Sequence, residues 1–158
     1  MDTRIEVIEE KKFVGMRLET SLSKDKTREL WETFMPMMGQ IKNRLDSGFY
    51  SINIFGDLTD FRQFTPHTLF ERWAAVEVSD FEGVPDEMET YLLPPGKYAV
   101  FIHKGPASNF VKTSQYIFAS WLPNSKYELD LRAHFEIMGE NYRPDDPNAT
   151  EEIWIPIR

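Results

Sequence analysis

The chain of 158 residues contains no cysteine. That excludes disulfides, thiol nucleophiles and cysteine-ligated zinc. It also lacks any apolar run near the roughly 20 residues of a membrane span, so no membrane association is expected. Its first residues, Met1-Asp2-Thr3-Arg4-Ile5-Glu6, carry neither the basic nor the apolar region of a secretory signal, which makes the cytoplasm the expected location. Asn148-Ala149-Thr150 fits the glycosylation acceptor pattern, but without secretion that match is incidental. Basic residues are in the minority, 18 against 26 acidic ones for a net charge of −8, and they occur as scattered pairs such as Lys11-Lys12. Such a field repels phosphate backbones, so direct nucleic-acid binding is not expected.

What the chain has is a core and a repeat. Hydrophobic residues make up 41% and aromatics 14%, enough for one globular domain over residues 1–158. Residues 5–20 read as an opening strand or strand pair, with Val14, Met16 and Leu18 alternating. Leu30, Phe34, Met38, Ile41 and Leu45 then recur at helical spacing, with Ser23, Asp25 or Thr27 as caps. Pro36 should kink that helix or end its first part. Strands follow at Tyr50, Ile52, Ile54 and, after a loop over 57–70, at Ala74, Val76, Val78. The second half repeats the order. Tyr98, Val100 and Ile102 alternate; Phe110, Ser114, Ile117, Phe118 and Trp121 share a helix face stopped at Pro123. Phe135 and Ile137 form a strand, and after a polar loop with Pro144 and Pro147 comes Ile153-Trp154-Ile155-Pro156-Ile157. Lys12 falls on Lys97, Gly56 on Gly139 and Trp73 on Trp154, giving pseudo-repeats of about 1–84 and 85–158. Two strand–helix–strand–strand units, each too small for a large core, should pair into one α+β domain. Each helix would cover one face of an antiparallel sheet, leaving the other open with a cleft between the units.

Glu136 is the residue of most interest. In His134-Phe135-Glu136-Ile137-Met138, Phe135 and Ile137 point to one face, and His134, Glu136 and Met138 to the other. A carboxylate there is costly to bury without a partner. A two-face reading puts Ile52, Ile54, Ala74, Val76, Phe135, Ile137, Ile153, Ile155 and Ile157 under the helices. Ser51, Asn53, Phe55, Trp73, Ala75, Glu77, Phe101, His103, His134, Glu136, Met138, Trp154 and Pro156 fall on the open face. A one-residue slip in any strand would invert its assignments. Trp73 and Trp154 read equally well as lids over the sheet, Glu77 as a salt-bridged surface residue, and Glu136 as a structural partner of Arg132, Arg143 or His103. The candidate ligand-binding set is Glu136, Trp73, Phe55, Asn53, Phe101, His103, Met138 and Trp154: aromatic faces, one thioether and a carboxylate suit a flat lipophilic ligand, with charge recognition if it is cationic. A metal held by His103, His134 and Glu136 is not favoured, since nothing sets His103 beside the other two. His134-Phe135-Glu136 also has the outline of a zinc deaminase signature, which fails without cysteine ligands. No cofactor is expected. Trp31 and Met35 to Met38 read as a packing surface of the first helix.

The chain resembles the GyrI-like (gyrase-inhibitor-like) family, whose domain is also the effector-binding part of AraC-type and MerR-type regulators. The resemblance rests on Gly96-Lys97-Tyr98-Ala99-Val100-Phe101, Tyr116-Ile117-Phe118, Trp121-Leu122-Pro123-Asn124-Ser125, Tyr127-Glu128-Leu129-Asp130, His134-Phe135-Glu136 and Glu152-Ile153-Trp154-Ile155-Pro156-Ile157. Leu30-Trp31, Phe34-Met35-Pro36 and Phe70-Glu71-Arg72-Trp73 match more loosely in the first half. Ala133 departs from the pattern, which often has proline there. The resemblance implies a duplicated strand–helix–strand–strand fold with a central groove, and a glutamate at its centre, Glu136 by motif, that meets lipophilic cations. With no helix-turn-helix segment the chain reads as a stand-alone member, used for sensing or sequestration of a small molecule. Two alternatives stand beside this: a hydrolase of reactive small molecules with Glu136 as general acid or base, and a protein-interaction module of gyrase-inhibitor type.

Overall fold

The computed structural model describes residues 2–58, 60–140, 142, 143 and 145–158; Pro144, expected in the last polar loop, lies outside the described residues. The strands are β1 (Thr3–Ile8), β2 (Lys11–Thr20), β3 (Phe49–Ile54), β4 (Phe70–Val78), β5 (Glu89–Leu93), β6 (Gly96–Lys104), β7 (His134–Met138) and β8 (Thr150–Ile157). Helix α1 (Thr27–Phe34) lies between β2 and β3, and α2 (Phe110–Tyr116) between β6 and β7. No helix among the described residues is long and apolar enough to cross a membrane.

Local sequence explains the helices. Asp25 Oδ1 accepts the Thr27 backbone N–H at 2.9 Å at the start of α1. Leu30 and Phe34 are the buried side chains of α1, one turn apart. Pro36 does end the α-helical part, and a tighter 3₁₀ turn, Met35–Gln40, takes over. Helix α2 widens into a π-type turn at Ile117–Trp121 before finishing at Leu122–Asn124.

All eight strands form one antiparallel sheet in the order β1-β6-β8-β7-β3-β4-β2-β5. Exchanging each strand with its counterpart in the other half returns the same order reversed. The sheet therefore has a two-fold pseudo-symmetry whose axis passes between β3 and β7. The two units thus share one continuous sheet. β5, before the Pro94-Pro95 link, was not foreseen from the sequence. That link also sets the shape. β5 and β6 are separated by five strands, about 29 Å in a flat sheet, but only two residues connect them, a reach of about 11 Å. The sheet must curl until its ends approach. Gly15 permits close approach in the β2–β4 pair: a Cβ there would lie 2.1 Å from the Ala74 carbonyl oxygen.

The curl encloses one face. Phe13, Tyr50, Ile52, Trp73, Ala75, Leu93, Tyr98, Val100, Phe135 and Trp154 form its core. Phe135 stacks on Trp154 at 5.1 Å, and the Tyr98 hydroxyl donates to the Ala133 carbonyl at 2.8 Å. The other face carries both helices, α1 over Val14, Ala74, Val76 and Val78, and α2 over Ala99, Phe101, Ile153, Ile155 and Ile157.

This corrects the two-face expectation. Cross-strand partners share a face, and the ladder Phe101↔Ile153↔Glu136↔Ser51↔Ala74 puts Glu136 on the helix-bearing side. The ladder Val100↔Trp154↔Phe135↔Ile52↔Trp73 forms the enclosed side. Trp73, Ala75, Glu77, Trp154 and Pro156, expected beside Glu136, belong opposite it. Ile52, Ile54, Phe135 and Ile137, expected under the helices, lie in or against the enclosed core. Each strand's own alternation was right; the phase between strands comes from register, which alternation does not encode.

Candidate ligand groove

On the helix-bearing face the helices stand apart, and a groove of about 1020 Å³ opens over the centre of the sheet. Its floor is Ser51, Glu136, Met138 and Glu151 from β3, β7 and β8; its walls include Trp31 and Met35 from the α1 side, Phe110 from α2, and Tyr142 from the loop after β7. Trp31 meets Phe49 edge-on at 6.2 Å, so one wall is continuous aromatic surface. The volume lies at the upper end of the small-molecule range, and the lining sets apolar side chains among charged ones.

Glu136 sits beside the pseudo-symmetry axis, directly across from Ser51. Asn53 Nδ2 donates to Glu136 Oε2 at 3.5 Å, and Arg72 Nε donates to Asn53 Oδ1 at 2.8 Å. The guanidinium also donates to the Thr27 hydroxyl and lies 3.9 Å from Asp25. Arg72 is thus held on the α1 side, with Asn53 between it and the glutamate. Among the described residues Glu136 has no direct ion pair. Burial pushes its carboxyl above the usual range, against the opposing pull of Arg72, Ser51 and Asn53. Glu151 is pushed up to about 8, first by burial and then by Glu136. Tyr142 is raised to about 12 by burial and by both glutamates. Five acidic side chains (Asp25, Glu32, Glu136, Glu140, Glu151) and three arginines (Arg28, Arg72, Arg143) line the groove, leaving it net negative.

Of the residues expected at the site, Glu136 and Met138 line the groove. Asn53 is buried below it and reaches Glu136 from the side. Trp73 and Trp154 are buried in the enclosed core on the opposite face. Phe101 is buried under α2, edge-on to Trp121 at 5.1 Å. His103 is held by the Thr113 hydroxyl at 2.7 Å and the Pro106 carbonyl at 3.2 Å, which ties it to the start of α2. Phe55 joins Phe61, Phe64, Phe70 and His134 in a separate aromatic box, where Phe61 stacks on Phe118 at 4.3 Å. Burial lowers the His134 imidazole to about 3. Among the described residues no three histidine or acidic side chains converge as a metal site. Arg132 bonds the Lys97 and Ile157 carbonyls and does not meet Glu136.

Sequence reasoning missed Phe49, Arg72, Phe110, Tyr142 and Glu151, and treated Trp31 and Met35 as packing. Arg72 and Glu151 carry a usable signal: Arg72 alternates with Ala74 and Val76, and Glu151 with Ile153 and Ile155, so each shares the helix-bearing face once register is known. Tyr142 has no such signal, because it lies in an irregular loop.

A curled antiparallel sheet with paired helices and a central acidic groove is the architecture of a small-molecule-binding domain. The model of the GyrI-like small molecule binding domain family matches residues 1–158, and the chain belongs to that family. The transcriptional regulator BrlR of Pseudomonas aeruginosa is 32% identical over 145 residues, 91% of this chain and 51% of BrlR. The chain therefore spans about half the length of that regulator. Among solved structures, SAV2435 bound to tetraphenylphosphonium superposes with a TM-score of 0.73 at 16% identity, covering 100% of this chain and 94% of that one. EcmrR in its DNA complex superposes with a TM-score of 0.71 at 16% identity, over 99% of this chain and 57% of EcmrR.

Proposed function

We propose that the groove receives an amphipathic, lipophilic cation and that the domain senses or sequesters it. The observation that carries this reading is Glu136, a groove carboxylate with no direct ion pair among the described residues, standing beside apolar walls in a net negative cavity. A lipophilic cation would supply the missing partner, and Trp31, Phe49, Met138 and Tyr142 would hold its apolar body. Aromatic faces add roughly 0.5–2 kcal/mol each for a cation above them. The complex of SAV2435 with tetraphenylphosphonium lends support by likeness of fold. For hydrolysis, a phenol or imidazole must orient water for Glu136, and the His103 imidazole is held away from it by Thr113 and Pro106. That favours binding over turnover.

Calorimetric titration with tetraphenylphosphonium tests the reading. The protein should bind it at micromolar concentration, and Glu136→Gln should weaken binding about ten- to a hundredfold, the worth of one charge-assisted contact of about 1.5–3 kcal/mol. Equal affinity in the two proteins would remove Glu136 from the role.

A further inference from the structure

Glu151 has no place in a site built for a single positive charge. It projects from β8 into the same groove as Glu136, yet only 8% of the residue is exposed. Among the described residues its carboxyl has no hydrogen-bond partner and no ion pair. Its register fixes its position: Glu151 pairs with Met138 and Glu136 with Ile153, so the two acids are diagonal neighbours on adjacent strands. Such neighbours have backbones roughly 7 Å apart. Leaving a buried carboxyl without a partner is costly, and leaving two side by side more so.

We propose that Glu151 is a second anionic subsite of this groove, and that the ligands fitted best are lipophilic dications with two positive centres within about 7 Å of each other. The inference rests on the reading of the groove as a cation site. Its chemistry is a proton exchange. In the empty groove Glu151 holds its proton at neutral pH, because burial and Glu136 raise its carboxyl to about 8. A monocation then meets Glu136 with no second carboxylate charge beside it. A second positive centre beside Glu151 favours the ionised form, so the O–H proton leaves to solvent as the dication enters. Affinity for a dication must then rise with pH, by up to about tenfold per unit below pH 8, and level off above it.

The other charged groups around Glu151 do not supply this behaviour. From β7 it faces Glu136, which strengthens the effect. From β4 comes Arg72, which opposes it and is held by Asn53 and Thr27. On β6 its register partner is His103, committed to Thr113 and Pro106. Glu140, Tyr142 and Arg143 approach from the following loop, and Asp25, Arg28 and Glu32 from the α1 wall. Tyr142 keeps its proton through the neutral range, at about 12.

The test uses two permanently charged probes, so that any proton comes from the protein: tetraphenylphosphonium as the monocation, and an octyl bis-quaternary ammonium with a three-carbon spacer as the dication. Both are titrated at pH 7 and pH 8, with proton release read at pH 7 in buffers of different ionisation enthalpy, using wild type and Glu151→Gln. The expected result is release of close to one proton with the dication and far less with the monocation. In Glu151→Gln the release should vanish, and dication affinity should fall at least tenfold at pH 8, more than any change in monocation affinity. Dication binding without proton release, or with release unchanged in the variant, overturns the proposal, as does monocation binding without dication binding. If neither probe binds, the cation reading itself fails and this inference with it.

Discussion

His134 and Glu136 stand two residues apart on one face of β7, yet only Glu136 opens on the groove. His134 sits among Phe55, Phe61 and Phe118, and burial lowers its imidazole to about 3. Its ordinary value near 6.5 returns on unfolding. The neutral ring therefore gives full stability above about pH 6.5, and that stability is lost as pH falls toward 3, by up to about 1.4 kcal/mol per unit. Replacing it by His134→Phe keeps an aromatic ring in an aromatic box and removes the proton. Urea unfolding between pH 4 and 7 should show a flatter profile for the variant than for wild type, and parallel profiles would refute the assignment. Glu151 acts with the opposite sign. Its raised value costs stability as pH climbs from about 4.5 toward 8. At this scale Glu136, His134 and Met138 were legible as one face from alternation alone. Arg72 and Glu151 were not, because their strands' phase against β7 depends on pairings between distant segments.

Among the elements, the loop between β3 and β4 has an aromatic core of its own. Phe55, Phe61 and Phe64 fold onto Phe70, His134 and Phe118, so the loop is fastened to both halves of the repeat. None of these rings lines the groove. Phe61→Ala should cost about 2 kcal/mol of stability, below the fully buried phenylalanine range because Phe61 is only half-buried. Tetraphenylphosphonium affinity should change by no more than a few-fold. Chemical denaturation alongside the binding titration checks both, and a large loss of affinity at unchanged stability would mean the box belongs to the site. The sequence showed a loop here but not its closure, since scattered phenylalanines carry no period. It did show both helices, including the break at Pro36, because a fixed φ and a missing N–H act locally. Reading Trp31 and Met35 as packing was half the story: Trp31 meets Phe34 at 5.8 Å while its outer side walls the groove.

Across the whole molecule the duplication decides where a ligand can go. The strand order is symmetric about the β3–β7 pair, and the groove lies over that axis. The repeat seen in sequence survives in detail. Trp73 pairs with Ile52 and Trp154 with Phe135, and each indole N–H donates at 2.9 Å to the glutamate two residues earlier, Glu71 or Glu152. Symmetry breaks at the groove floor. The same offset that matches the tryptophans' partner strands makes Asn53 the repeat counterpart of Glu136, an amide where the other half has an acid. What the repeat did not reveal is which face is free. The short Pro94-Pro95 link curls the sheet and encloses the face that carries Trp73 and Trp154, so the ligand face is the one with the helices.

Tryptophan fluorescence separates these two faces most directly. Of the four tryptophans, only Trp31 lines the groove; Trp73 and Trp154 are in the enclosed core, and Trp121 stacks over Tyr127 at 6.2 Å beside α2. Titrating tetraphenylphosphonium into wild type, Trp31→Phe and Trp154→Phe reads out which indole meets the ligand. A groove on the helix-bearing face predicts a saturable fluorescence change that persists in Trp154→Phe and is lost in Trp31→Phe. A change that survives in Trp31→Phe and disappears in Trp154→Phe would contradict it.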